Sequence, residues 1–71
     1  MYKRIKELRE DNDKKQVELA HLLNISQQYY SEYESGKRPI PVEKLKMLAK
    51  IYNTSMDYIV ELTDEIAPYD N

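Results

Sequence analysis

The chain has 71 residues, 41% hydrophobic and 34% charged, with 11 basic against 13 acidic side chains and a formal net charge of −2. That length allows one small domain near the lower limit for folding on an apolar core alone, which excludes a large catalytic cleft. With no cysteine there is neither a disulfide framework nor a thiolate metal site, and no apolar run approaches the roughly 20 residues of a bilayer span.

One glycine and prolines at positions 39, 41 and 68 are too few turn signals for a sheet protein, so an all-α domain is expected. The opening MYKRIKELRE lacks the apolar segment of a signal peptide, and the cytoplasm is the expected compartment. Residues 2–11 are predicted to form a first helix with Ile5 and Leu8 inward and Lys3, Arg4, Lys6, Glu7 and Glu10 in solvent. Asn12 and Asp13 end it. A second helix begins near Lys15 or Gln16 and lines one face with Leu19, Ala20 and Leu23. Asn24 then suits a residue of positive φ, Ile25 plugs the turn, and the Ser26 hydroxyl caps a third helix over residues 27–34. Tyr30 and Tyr33 belong to the core, while Gln27 and Gln28 project from the exposed tip. Two short helices across such a turn form a helix-turn-helix, and the tip has the shape of an element that enters a DNA major groove.

Residues 35–41 must be a loop, because Gly36, Pro39 and Pro41 forbid helix there, and the loop carries Lys37 and Arg38. Val42, Leu45, Leu48, Ala49 and Tyr52 recur at helical spacing in a fourth helix opened by Pro41. Asn53 ends it in the left-handed conformation. Ser55 caps a fifth helix with Asp57 in its first turn, and Met56, Ile59 and Val60 face the core. From Thr63 onward periodicity is lost, so the domain is expected over residues 1–63, followed by a frayed or extended acidic tail over 64–71.

The net charge argues against a phosphate-binding protein, but its distribution does not. Residues 1–50 hold all 11 basic side chains and 8 acidic ones, whereas residues 51–71 hold 5 acidic and none basic. A basic face on the N-terminal part is compatible with DNA, and so is an ordinary solvated surface.

The segments RIKELRE, QVELAHLLNIS, QQYYSEYESGKR, LKMLAKIYN and SMDYI, in this order and with these loop lengths, resemble the helix-turn-helix domain of phage repressor and Cro proteins and of small bacterial regulators of the xenobiotic-response-element type. The resemblance covers residues 3–63. It implies a five-helix, lambda-repressor-like bundle acting as a double-stranded DNA-binding transcriptional regulator, with a repressor expected. In that family Gln27 and Gln28 match positions that reach base edges, where glutamine fits the donor and acceptor of adenine. Glu32 falls on the same face as a further base-reading candidate, where it accepts from a cytosine amino group, excludes wrong sequences, or simply points to solvent. Gln16, Lys37 and Arg38 look like positions that hold the DNA backbone, against the plainer readings of a surface glutamine and a solvated basic loop, and Lys15 is taken with them. Tyr29, on the exposed side, is a backbone candidate that offers its hydroxyl to a phosphate or its ring edge to a thymine methyl, or else packs on the surface. Arg9 and Glu34 match an ion pair between the first and third helices. Lys14, Asn24, Asn53 and Thr54 depart from the usual apolar, glycine, glycine and aliphatic residues.

No catalytic constellation accompanies this pattern, and neither a cofactor nor a metal is implied. The acidic run from Glu10 to Asp13 fails as a calcium loop: counted from Asp11, the sixth position is Gln16 instead of glycine and the twelfth is Leu22 instead of glutamate. His21 and Leu22 fall on the exposed side of the second helix. A homodimer on a palindromic operator is expected, built on the fifth helix or the tail through Tyr58, Leu62 and Ile66. The alternative is an antitoxin or anti-repressor that keeps this fold and engages another protein through its acidic tail or Tyr58, Ile66 and Tyr69.

Overall fold

In a computed structural model, residues 2–68 are described, and five helices follow one another: α1 Lys3–Asp11, α2 Gln16–Leu22, α3 Gln27–Ser35, α4 Val42–Ile51 and α5 Met56–Ile59. No strand occurs among the described residues. Each helix is followed within two residues by a left-handed one: Asp13 (φ 54°), Asn24 (58°), Gly36 (82°), Asn53 (53°) and Glu61 (65°). After the four that are not glycine, the next amide donates to a carbonyl five residues back: Lys14 to Arg9 at 3.0 Å, Ile25 to Ala20 at 3.0 Å, Thr54 to Ala49 at 2.9 Å and Leu62 to Asp57 at 2.8 Å. These are Schellman closures, which satisfy carbonyls that a helix end otherwise leaves open. Asn24 and Asn53 adopt the conformation their residue type favours. Asp13 adopts it at a smaller cost than Glu61, for which it is about 1 kcal/mol.

The starts of α3, α4 and α5 are set by short side chains and by proline. Ser26 Oγ accepts from the Tyr29 amide and Ser55 Oγ from the Tyr58 amide, each at 3.1 Å. Pro41, with φ −66°, leads into α4 where its missing N–H costs nothing. The core gathers Ile5 and Leu8 from α1, Leu19, Ala20 and Leu23 from α2 and its end, Tyr30 from α3, Leu45, Leu48 and Ala49 from α4, and Ile59 from α5. Met56 and Val60 pack at its edge, as does Ile25 in the turn. The broadest contact is between α2 and α3, so the helix-turn-helix is the most tightly joined pair of elements. Lys44 reinforces it from α4, where its Nζ donates to the Leu23 carbonyl at 2.8 Å.

Two features go beyond what periodicity indicates. Val42 is 62% exposed. As the first residue of α4 it sits where Pro41 brings the chain in from outside, and the buried face begins only at Leu45. The segment after Thr63 is irregular but not frayed up to Ile66. Arg4 donates to the carbonyls of Tyr58 (2.8 Å) and Thr63 (2.6 Å) and to the Asp64 carboxylate (2.7 Å), and its guanidinium lies over the Tyr58 ring. The Thr54 hydroxyl donates to the Ile66 carbonyl. Lys3 adds a looser pair with Glu61 at 3.7 Å. Tyr58 is consequently half-buried beneath Arg4, while Leu62 (77%) and Ile66 (51%) stay exposed. Tyr69 lies outside the described residues.

Candidate nucleic-acid interface

The tip of α3 is built by its neighbours. Tyr30 and Tyr33 are buried and anchor one side of the helix, and the Ser26 cap fixes its first turn. The opposite side then presents Gln27, Gln28 and Tyr29 to solvent at the amino end. No acidic residue stands in that first turn. The unpaired amides there and two side-chain amides make a surface of hydrogen-bonding groups without a carboxylate at its end.

Behind the tip, α3 is fastened to α1 and α2 through Glu34, which is only 8% exposed. Arg9 donates to it twice, Nε to Oε2 at 2.7 Å and Nη2 to Oε1 at 3.2 Å, and also donates Nη1 to the Lys14 carbonyl at 3.1 Å. The Gln16 amide donates to Glu34 Oε1 at 3.2 Å. Burial opposes the charge on Glu34, but Arg9, Tyr30 and Gln16 together hold its carboxyl below the usual range. The same cluster encloses two phenols. Burial first, then the neighbouring carboxylate, pushes Tyr30 far above its ordinary value and pushes Tyr52 up to about 12. The Tyr30 hydroxyl faces Glu34 outside good hydrogen-bond geometry, and the Tyr52 hydroxyl is likewise buried without a partner.

The loop after α3 folds back on the helix. Arg38 Nε donates to Glu32 Oε1 at 2.8 Å, its backbone amide donates to the Glu32 carbonyl at 3.3 Å, and its guanidinium carbon sits 4.0 Å from the centre of the Tyr29 ring. Arg38 holds the Glu32 carboxyl below the usual range against a smaller effect of desolvation, and Gln28 and Lys37 act in the same direction. Glu32, Arg38 and Tyr29 are thus one unit, whereas sequence reasoning treats them as separate contacts. The six-residue step from Glu32 to Arg38 crosses the end of a helix, where no periodic rule applies.

The remaining candidates lie on other elements or at the α3 amino end. Gln27, Lys15 and Lys37 are exposed. The Lys15 amide donates to Glu18 Oε1 at 2.9 Å, half of a capping box at the start of α2. Gln16 is half-buried, with one amide hydrogen engaged by Glu34 and a second remaining. His21 and Leu22 are exposed, as expected. Among the described residues no group of His, Cys, Asp or Glu is placed to hold a metal ion, and no helix is long and apolar enough to cross a membrane.

Comparison with known proteins bears on the family and the fold. The sequence model of a family described as helix-turn-helix matches residues 5–59, from α1 to the end of α5. Over 65 residues the chain is 35% identical to the uncharacterized HTH-type transcriptional regulator YobD of Bacillus subtilis (strain 168), an alignment covering 92% of this chain and 58% of that protein. The chain therefore spans well under two thirds of this relative's length. No solved structure matches significantly.

Proposed function

The chain belongs to the helix-turn-helix family of the xenobiotic-response-element and Cro type, DNA-binding transcriptional regulators, and from that membership we propose a sequence-specific repressor that seats α3 in the major groove of a palindromic operator as a homodimer. The observation that carries the reading is the α3 tip, where Gln27 and Gln28 stand in solvent on a helix locked from behind by Tyr30 and Tyr33. Either glutamine can satisfy both the amino donor and the ring-nitrogen acceptor of an adenine. Lys15, Lys37 and the second amide hydrogen of Gln16 serve the phosphates on either side, fixing register without reading sequence. Catalysis has no place in this reading, and the cytoplasm is its natural setting.

Two modules about 34 Å apart on one face of a duplex multiply the specificity that one module lacks. Leu62 and Ile66, exposed beside α5, support a contact between copies there. Selection of bound sites from a random duplex pool tests the reading: the recovered sites should share a two-fold symmetric sequence. Sedimentation on such a site should give two copies per duplex, and a persistent monomer would remove the dimer.

A second reading has its own support. Leu62 and Ile66 are flanked by exposed Glu61, Asp64 and Glu65, a surface suited to a protein partner of the kind an antitoxin or anti-repressor engages. Under this reading a partner copurifies with the full chain, and deleting residues 64–71 abolishes that association while sparing operator binding.

A further inference from the structure

Resting on the assignment of α3 as the DNA-reading helix, we propose that Arg38 reads a guanine in the major groove and that Glu32 is the positioning residue that aims it. Arg38 lies beyond the helix in sequence, past Gly36, yet its guanidinium is folded back over Tyr29, the third residue of α3. It therefore stands near the end of the helix that carries Gln27 and Gln28. Glu32 is one helical turn from Gln28 and on the same side. Its Oε1 takes the Arg38 Nε at 2.8 Å, and the Arg38 amide is tied to the Glu32 carbonyl. The guanidinium is thus held at its base and on one face.

That grip leaves one edge unused. Nη1 and Nη2 donate to no other described residue, and Arg38 keeps 41% of its side-chain surface exposed. Two parallel N–H groups on a planar, always charged group match O6 and N7 of guanine, and a fork held in place loses little freedom on pairing. A phosphate clamp would need the charge itself, and here Glu32 offsets it. The pairing also removes the repulsion that a bare carboxylate on this side of α3 would feel from the sugar-phosphate strands.

The test is the selection of sites from a random duplex pool by the wild-type chain and by R38A, R38K, E32A, E32Q, Q28A and K37A, with salt titrations on the preferred site. The wild-type sites should contain a G·C pair whose preference falls by roughly fivefold to a hundredfold in R38A, R38K and E32A. E32Q should retain much of that preference, because its side-chain carbonyl still accepts from Nε. R38A leaves Glu32 bare beside the phosphates and so also weakens binding in general, but it should erase the preference at that one pair, whereas K37A should lower the salt slope by about 0.9 with the selected sequence unchanged. Equal weakening of R38A on all duplexes with the guanine preference intact would overturn the guanine contact, even while Q28A still shifts the selected sequence. Full guanine preference in E32A would overturn the positioning role. A wild-type chain that selects no sequence at all would overturn both this inference and the reading beneath it.

Discussion

Arg9 and Glu34 are joined by two parallel hydrogen bonds, and this pair sets the position of α3 against α1. Both side chains are largely removed from water, at 13% and 5% exposure. The pair itself is not a large net source of stability, since desolvation consumes most of the attraction, but losing one partner leaves a buried charge uncompensated. Replacing either residue with alanine should cost about 3 to 5 kcal/mol. A domain of this size has roughly 4 to 10 kcal/mol in total, so the loss approaches unfolding. R9A should be the more damaging, because it leaves the buried Glu34 with neutral Tyr30 and Gln16 and no positive charge beside it, whereas E34A leaves Arg9 its bond to the Lys14 carbonyl. Urea unfolding of both variants checks the order, and a loss below about 1 kcal/mol in each would contradict it.

Acid should act through the same carboxylate. The folded-state pKa of Glu34 lies below its ordinary value of 4.5, so its contribution is fully present above that value and is lost as pH falls through the lower, folded one. The midpoint of thermal unfolding should drop on acidification across this window, and the drop should be shallower in E34Q. An E34Q chain with the wild-type acid profile would show that other carboxyls govern it.

At the alkaline end the phenols decide. Tyr52 is raised to about 12 by burial first and then by Glu34, so its contribution is complete below the ordinary value of 10 and disappears as pH rises through the folded one. Because the Tyr52 hydroxyl is buried without a hydrogen bond, Y52F should gain up to about 1 kcal/mol near neutral pH and flatten the alkaline loss. A destabilised Y52F would mean that the hydroxyl is satisfied in solution.

Helix ends offer a cleaner measure of backbone cost. Asp13 is exposed, with φ 54°. D13G should raise stability by about 0.5 to 1 kcal/mol, which in a domain this small is several degrees of melting temperature. N24G should gain less, since asparagine already tolerates that conformation. Equal gains at the two sites would show that residue type does not set the cost.

The helices, both serine caps and the two left-handed asparagines were legible in the chain because each follows from a local rule of periodicity or hydrogen-bonding reach. Left-handed Asp13 and Glu61 were not: aspartate tolerates that region less readily than glycine and glutamate does not favour it, and the surrounding closures hold them there. Val42 satisfied the helical spacing but stands on the first residue of α4, outside the packed turns. The grip of Arg4 on Thr63 and Asp64 joins opposite ends of the chain, a distance over which pattern carries no information. At the candidate interface, the exposure of Gln27 and Gln28 was readable from their place after the cap. The unit of Tyr29, Glu32 and Arg38 was not, because it depends on how the chain doubles back after Gly36.

All three arginines of this chain are taken up by carboxylates of their own fold, Arg4 by Asp64, Arg9 by Glu34 and Arg38 by Glu32, while Lys44 is spent on a carbonyl. No arginine is left with an uncommitted charge, so attraction to a polyanion falls to exposed lysines such as Lys15 and Lys37. Under the proposed function, those lysines set how steeply binding weakens with salt, while the choice of site rests on directed hydrogen bonds.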